Sequence, residues 1–431
     1  MTHPVIHHVV MCVMNADDTF DRLRKFGFKL FAKRETPLCK ELVLRVGQVN
    51  FIITERKDDA SPYTKYSDGS KIRSEHFTTF CCENQENHEI DSVFNVAFEV
   101  RDIQLVVNRI KSGGGSANVI QPITTLTDTN GEMKYCLIKS VCGNVVHCIL
   151  QKSSYHGFLV GYEVMEDAFE DDSETQYGIN FVDHVTLACH SGHSEEILRF
   201  YEMCFGMKKF SIGTKDDLNN GLILEEGVGL RLRAMEYYKC AETGLVYSNA
   251  GKGAGRDPNT MMLVVVETLE GQTNCNVETF LKEHEKPGIE HIALNSTNMC
   301  ETVSILSLNG VNFRKPPILY YEELQKRKEI SNLGKDILTL AKYGILLDLE
   351  DSEEDGTNNF LMQIFARSLF DRKTFFIEII ERNGAKFLGA GNILALVRSI
   401  REEERRKAVD AETNKLLQAR EASVANNIRA T

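Results

Sequence analysis

The chain has 431 residues and a formal net charge of -12, with lysine and arginine interspersed among aspartate and glutamate. A chain of this length forms about two or three domains, because single hydrophobic cores stop growing at roughly 250–300 residues. The acidic balance argues against nucleic acid as the main partner, since phosphate binding needs a basic surface. No apolar run approaches the ~20 residues that a membrane-spanning helix needs.

The 12 cysteines are scattered, and no C-x-x-C spacing occurs among them. Disulfide frameworks are typical of short secreted chains, so reduced thiols in an intracellular protein are expected. The N-terminus enters an apolar strand at Val5 and shows no Arg-rich amphipathic presequence. That absence does not exclude an organelle.

The first segment, residues 1–162, predicts alternating strands and helices. A helix over 16–26 ends at Gly27, because glycine readily adopts the left-handed conformation that closes a helix. A polar stretch over 56–92 indicates an insertion loop. The remaining predicted elements are strands at 5–10, 41–46, 50–54, 94–100, 135–140 and 144–151 and a helix at 103–111.

Residues 163–178 are rich in aspartate and glutamate and indicate a solvated linker. The second segment, 179–405, repeats the plan of the first, and 406–431 predicts a charged helical tail. The predicted elements of the second segment are strands beginning at 184, 221, 229, 261 and 291 and helices at 194–205, 300–308 and 394–406.

An internal repeat relates the two segments and sets the predicted fold. His8-Val9-Val10 matches His184-Val185-Thr186, and Asn95-Val96-Ala97-Phe98 matches His291-Ile292-Ala293-Leu294. Two copies of a paired βαβββ module imply an α+β protein with two half-open β-barrels.

One buried strand near the C-terminal end carries an unusual charge. Residues 374–382 are aromatic and β-branched almost without a break, yet Glu378 lies in their middle. A lone ionised carboxylate there costs several kcal/mol unless it is paired or binds a metal. His184 and His291 lie in two other strands, so the three residues suggest a facial triad for non-haem iron(II).

Simpler interpretations of these residues stay open at this stage. A histidine in an apolar strand is often a satisfied core residue, and Glu378 has a candidate ion-pair partner in Arg382. The first copy has Asn95 where the second has His291, and no buried glutamate follows its last strand. The first copy is therefore expected to bind no iron.

The C-terminal residues resemble those of a known family. Gln363-Ile364-Phe365, the Glu378 strand and Gly389-Ala390-Gly391-Asn392 are similar to the signature of 4-hydroxyphenylpyruvate dioxygenases. His184 and His291 match the two histidine ligands of that family. Ser368-Leu369-Phe370 and Ile393 suggest its dioxygenase-like branch in animals. The resemblance covers roughly residues 5–405 and implies two vicinal oxygen chelate domains, iron(II) in the second of them, and a C-terminal helix.

The chain departs from the family pattern at several positions. Ile393 replaces a phenylalanine that stacks on the substrate ring, as it does in the related 4-hydroxymandelate synthases. Phe387-Leu388-Gly389 stands where the family has Gly-Phe-Gly, and Glu290 replaces a glutamine. Val264-Val265-Val266-Glu267 replaces Pro-x-Asn-Glu, so an asparagine near the substrate phenol is lost.

The resemblance implies an oxidoreductase that converts 4-hydroxyphenylpyruvate and O2 to 4-hydroxymandelate and CO2. Beyond the metal ligands, it implies substrate contacts from one set of residues: Gln363, Phe365, Leu388, Asn392 and Ile393. The alternatives are a dioxygenase making homogentisate in tyrosine catabolism and a non-catalytic metal-binding relative. A mitochondrial role in ubiquinone head-group synthesis is expected, with the cytoplasm as the alternative location and a homodimer as the candidate assembly.

Overall fold

A computed structural model describes most of the chain. The described residues are 5–36, 39–57, 63–65, 71–73, 90–166, 177–213, 217–224, 228–236, 261–272, 276–326, 330, 333–351, 358–394, 401, 405, 406, 409 and 413. Within them, no helix has both the length and the apolar character needed to cross a membrane. Most of the predicted acidic linker and of the C-terminal tail lies outside these residues.

Strands dominate both halves of the chain. The first half contains β1 Val5–Val13, β2 Lys29–Glu35, β3 Cys39–Val46, β4 Val49–Arg56, β5 Tyr63–Lys65, β6 Lys71–Arg73, β7 Ser92–Glu99, β8 Val119–Asp128, β9 Gly131–Lys139, β10 Val146–Tyr155 and β11 Glu163–Val164. The second half contains β12 Ile179–Cys189, β13 Lys208–Phe210, β14 Leu222–Leu224, β15 Leu230–Glu236, β16 Met262–Thr268, β17 Gly288–Ser296, β18 Leu346–Asp351, β19 Asn358–Phe365 and β20 Phe376–Asn383.

Helices cover the strands. They are α1 Ala16–Arg24, α2 Ile103–Ser112, α3 Ser194–Phe200, α4 Asn276–His284, α5 Met299–Leu308, α6 Ile318–Gln325 and α7 Ile337–Tyr343. The Asn15 side chain caps α1 by accepting from the Asp18 N–H at 2.9 Å, and Asp102 caps α2 in the same way. These caps explain why both helices begin where the polar residue precedes the apolar run.

The two large sheets of the described chain have the same strand order. The first runs β2-β3-β4-β1-β7-β10-β9-β8, with β11 added beside β2. The second runs β13-β15-β16-β12-β17-β20-β19-β18, with β14 beside β15. In each, the first strand pairs parallel to the last strand of its own module and antiparallel to the first strand of the next module. The predicted repeat of paired βαβββ modules is therefore confirmed.

Each sheet curls around its own interior and presents its other face to a shared core. Phe31, Phe94 and Phe158 belong to the interior cluster of the first sheet, and Leu232 and Val264 to that of the second. A third cluster of buried residues joins side chains of both sheets with the helices. The two barrels are thus packed against one another through one continuous apolar layer.

Several elements differ from the prediction. Glu163 and Val164, assigned to the linker, pair with β2 because its edge offers free hydrogen-bonding groups. The helix predicted over 194–205 turns into a π-helix at Tyr201–Phe205. The helix predicted from Leu394 already begins at residue 390.

Candidate metal centre and its cavity

Three neighbouring strands in the middle of the second sheet carry His184, His291 and Glu378. His184 on β12 pairs with Ala293 on β17, and Ala293 pairs with Glu378 on β20. His291 lies two residues before Ala293, so its side chain emerges on the same face. The neighbours Ile377 and Ile379 face the opposite way, into the shared core. Alternation along the strands thus brings all three polar side chains into the barrel.

The three side chains form a compact donor set. Oε2 of Glu378 lies 3.4 Å from Nε2 of His184 and 3.4 Å from Nε2 of His291. All three candidate ligand atoms lie within 4.8 Å of one another, and no other such group of three occurs in the described part of the chain. Bonds of about 2.1 Å place two ligands at right angles about 3 Å apart, so the set fits one metal ion.

A carboxylate lies behind each histidine. Asp183 Oδ1 contacts His184 Nδ1 at 2.9 Å, and Glu290 Oε2 contacts His291 Nδ1 at 3.1 Å. Both contacts hold a proton on Nδ1 and leave Nε2 free as a donor toward the candidate metal position. Glu290 thus supports His291 from behind.

β-Bulges allow these adjacent residues to share a face. The register between β12 and β17 shifts once across Asp183 and once across Glu290, so each is the extra residue of a bulge. Without the shifts, each carboxylate would point away from its histidine. Arg382 donates to both oxygens of Asp183, at 2.8 and 2.9 Å. The predicted alternative of an Arg382–Glu378 ion pair is therefore wrong, because the bulge turns Asp183 toward Arg382.

The electrostatics of the centre favour an anionic Glu378. Burial opposes its ionisation, but the two histidines outweigh burial and lower the pKa of Glu378 to about 2. Burial also opposes charge on His291, yet Glu290 and Glu378 raise the pKa of His291 to about 9. The metal-free centre therefore holds a proton on His291 at neutral pH that a bound cation would displace.

A cavity opens directly above the three donors. Its empty space is about 660 Å³ when the part that is open to solvent is included. Aliphatic side chains form most of the wall away from the donors. The lining residues are His184, Thr186, Leu230, Leu232, Val264, Val266, Asn276, Val277, Glu290, His291, Gln363, Phe365, Phe376, Glu378, Leu388 and Ile393.

Four of the five predicted substrate residues line this cavity, namely Gln363, Phe365, Leu388 and Ile393. Asn392 is fully buried behind the wall and donates to Gln363 Oε1 at 2.9 Å. The amide of Gln363 in turn donates to Glu378 Oε1 at 2.8 Å. These two side chains therefore contact protein groups where substrate contacts were expected.

Other residues of the centre were not identified from the sequence. Asp183 was missed as a partner of His184, although an acidic residue precedes each of the two histidines. Phe376 stacks on His291 with ring centroids 4.6 Å apart. Its position two residues before Glu378 is the strand spacing that signals a shared face. No sequence signal points to Asn276, which reaches the cavity from the start of α4.

Comparison with known proteins decides the family. The human 4-hydroxyphenylpyruvate dioxygenase-like protein is 30% identical over 389 residues, which cover 89% of this chain and 92% of that protein. The chain belongs to the 4-hydroxyphenylpyruvate dioxygenase family. A rat 4-hydroxyphenylpyruvate dioxygenase-like protein is also 30% identical over 90% of this chain and 93% of its own length. The 4-hydroxyphenylpyruvate dioxygenase of the fungus Coccidioides posadasii is 27% identical over 84% of this chain and 82% of its own.

Solved structures share the fold of this family member. A triple mutant of 4-hydroxymandelate synthase from Streptomyces coelicolor matches with a TM-score of 0.69 at 21% identity. The match covers 94% of this chain and 100% of the synthase chain. A xylose isomerase-like TIM barrel/4-hydroxyphenylpyruvate dioxygenase fusion protein matches with a TM-score of 0.61 at 16% identity, covering 93% and 53%. No protein-family model matches the chain. The predicted pair of vicinal oxygen chelate domains is confirmed.

Proposed function

We propose that the protein is a non-haem iron(II) dioxygenase that converts 4-hydroxyphenylpyruvate and O2 to 4-hydroxymandelate and CO2. The proposal rests chiefly on the two histidines and one carboxylate at the end of an aliphatic and aromatic cavity. One oxygen atom of O2 enters the new carboxylate and the other enters the benzylic hydroxyl, so the reaction balances with CO2.

Five residues of the chain have roles at the candidate metal centre. His184, His291 and Glu378 would hold the ion, and the cavity that they line would receive the α-keto acid. Iron(II), when bound, would supply the redox chemistry for the reaction with O2. Asp183 and Glu290 keep the two imidazoles oriented throughout.

The ring pocket orients the aromatic end of the substrate. Phe365 and Phe376 form an edge-to-face pair with centroids 6.3 Å apart, and Leu388 and Ile393 lie among the other walls. A phenylalanine at 393 would offer a second flat face, and such stacking stabilises by about 0.5–1.5 kcal/mol. Branched Ile393 lets the ring tilt, which favours hydroxylation at the benzylic carbon over the ring carbon.

The family pattern to which the sequence is similar has a phenylalanine at the position of Ile393, so exchanging this residue tests the choice between the two products. In Ile393→Phe we expect homogentisate to rise several-fold relative to hydroxymandelate, because ~1 kcal/mol shifts a ratio by that amount. Ile393→Leu serves as the matched control with an aliphatic side chain. An active Ile393→Phe enzyme with the wild-type product ratio would contradict the orientation argument.

The direct test is anaerobic reconstitution with iron(II), followed by 4-hydroxyphenylpyruvate and O2, with products identified by mass spectrometry. Hydroxymandelate supports the proposal, and homogentisate alone replaces it with the dioxygenase of tyrosine catabolism. Bound iron without turnover of this substrate contradicts the assigned reaction and favours a non-catalytic relative.

We also propose a mitochondrial location and a supply of ubiquinone head groups, on the family resemblance alone. Subcellular fractionation tests the first, and isotope tracing from labelled 4-hydroxyphenylpyruvate into ubiquinone tests the second. The homodimer stays a prediction that light scattering checks.

A further inference from the structure

Residues 386–394 form a segment that closes one side of the cavity. Leu388 and Ile393 line the cavity, and the Leu388 N–H donates to Ile212 O at 3.0 Å. Residues 390–394 are helical and begin the C-terminal helix. The position of this segment therefore determines how closed the cavity is.

Gln363 joins this segment to the candidate metal centre. Its Nε2 donates to Glu378 Oε1 at 2.8 Å and lies 3.4 Å from Leu388 O, while its Oε1 accepts from Asn392 at 2.9 Å. Gln363, Asn392 and Glu378 are all buried. Gly389 allows the approach, because a Cβ there would lie 2.5 Å from Gln363 Oε1.

The hydrogen bond from Gln363 divides the two oxygens of Glu378 between separate partners. Oε1 accepts from Gln363, whereas Oε2 faces both imidazoles. The terminal torsion of glutamate is broad and roughly two-fold, so an unheld carboxylate would rotate. Gln363 thus fixes the plane of the carboxylate, with one oxygen directed at the candidate metal position.

We propose that Gln363 and Asn392 are positioning residues that couple docking of residues 386–394 to metal binding at Glu378. The inference rests on the proposed function, in which Glu378 is a metal ligand. Such coupling is reciprocal: a docked segment strengthens metal binding, and a bound metal stabilises the docked segment by the same free energy.

A second anchor provides a control. Asp348 Oδ2 accepts from the Gly391 N–H at 2.9 Å, next to Asn392 in the same segment. Asp348→Ala removes the bond to the Gly391 N–H, whereas Asn392→Ala removes the bond to Gln363 together with a longer contact at 3.4 Å from the Tyr320 hydroxyl. Only Asn392→Ala interrupts the connection to Glu378.

The first test is titration of the metal-free full chain with Co(II), followed by calorimetry and by the visible spectrum of the bound ion. We expect Gln363→Met to weaken Co(II) binding about 10–100-fold, as loss of an outer partner of a ligand usually does. Asn392→Ala should weaken it several-fold, and Asp348→Ala should stay within about twofold. Gln363→Met should also alter the visible spectrum, since the carboxylate is free to rotate.

A double variant tests whether the two residues act in one chain. Gln363→Met with Asn392→Ala should bind Co(II) no more weakly than Gln363→Met alone, because residues in one network are not additive. Hydrogen exchange of residues 386–394 supplies the reciprocal measurement. Co(II) should slow exchange there in the wild type and have little effect in Gln363→Met.

The outcomes distinguish failure of the proposed coupling from failure of the proposed function. Wild-type Co(II) affinity in Gln363→Met, or equal weakening by Asp348→Ala and Asn392→Ala, would overturn the coupling between residues 386–394 and Glu378. Failure of the wild type itself to bind Co(II) or iron(II) would overturn the proposed function as well. Thermal melts establish whether each variant is folded. If Gln363→Met does not fold, Asn392→Ala and its comparison with Asp348→Ala still test the coupling.

Discussion

The two barrels share one strand order but differ at the positions that make the candidate site. His8 pairs with Ala97 in the first sheet as His184 pairs with Ala293 in the second. Asn95 takes the place of His291 in the same register. The pairing of Phe98 with Ile149 corresponds to that of Leu294 with Ile379, so Cys148 stands where the second sheet has Glu378. The backbone therefore has an equivalent position in each barrel, but only the second barrel has all three candidate ligand side chains there.

The interiors of the barrels differ as well. In the first barrel, Phe158 from the segment after β10 packs on Phe31 with centroids 5.6 Å apart and on His7 at 5.1 Å. The bulge residue there is Phe94, at the position that Glu290 occupies in the second barrel. Aromatic side chains thus fill the interior of the first barrel, whereas the second barrel has a cavity above its three candidate ligands.

The histidines respond to these interiors in opposite ways. Burial lowers the pKa of His8 to about 3, and its Nε2 has no hydrogen-bond partner among the described residues. In the second barrel, carboxylates raise the pKa of His291 to about 9. A buried imidazole needs a neighbouring carboxylate to hold a proton. Nδ1 of His8, the counterpart of His184, instead lies 2.8 Å from Nδ1 of His7.

The largest expected effect comes from removing the carboxylate that distinguishes the barrels. We expect Glu378→Gln to weaken iron(II) or Co(II) binding by more than about 100-fold, since it removes a ligand and not merely an outer partner. Cys148→Ala, the matched change in the first barrel, should leave binding unchanged. Calorimetric titration measures both. Equal weakening by the two variants would show that the barrels share the metal function.

The first barrel is expected to matter for stability. Glu41 is fully buried and accepts from Arg34 at 2.5 Å and from Tyr162 at 3.0 Å. Glu41→Gln should lower the free energy of unfolding by about 3–5 kcal/mol, because it leaves the buried Arg34 without its counter-charge. Denaturant unfolding measures this loss, and Co(II) affinity of the folded variant should not change. The exposed Glu163→Gln serves as control, and similar losses in both variants would contradict the expectation.

Acidification should destabilise the junction of the barrels. His147 contacts Val96 O at 3.0 Å and Tyr201 of the second half at 2.7 Å, and burial lowers the pKa of His147 to about 4. The unfolded chain has a histidine pKa of about 6.5 and gains this proton between pH 7 and 5, whereas the folded chain does not. The free energy of unfolding should therefore fall by ~2 kcal/mol from this group.

Denaturant unfolding at pH 7 and 5 checks the sign, and His147→Gln should show a shallower fall. In the metal-free protein, His291 acts in the opposite direction: its contribution is full below pH 6.5 and is lost as pH rises through about 9. An identical pH dependence of the free energy of unfolding in wild type and His147→Gln would show that His147 does not cause the loss of stability at low pH.

The repeat, many of the strands and the three candidate ligands were predictable from the sequence, although β2, β8 and β18 were not among the predicted strands. Alternating or continuous β-branched residues specify strands, and a histidine or glutamate inside such a run is costly enough to signal its use. Because two short stretches align between the segments and no buried glutamate follows the last strand of the first, the sequence also indicated that only the second has all three polar positions.

Tertiary structure alone decided how these residues are supported. The bulges at Asp183 and Glu290 shift the register by one residue, and an alternation pattern cannot show such a shift. The contact of Gln363 with Asn392 joins residues that are 29 positions apart and depends on the path of residues 386–394 across the barrel. Local sequence therefore determined that the three candidate ligands face the interior, while strand pairing and long-range packing determined which partners they meet there.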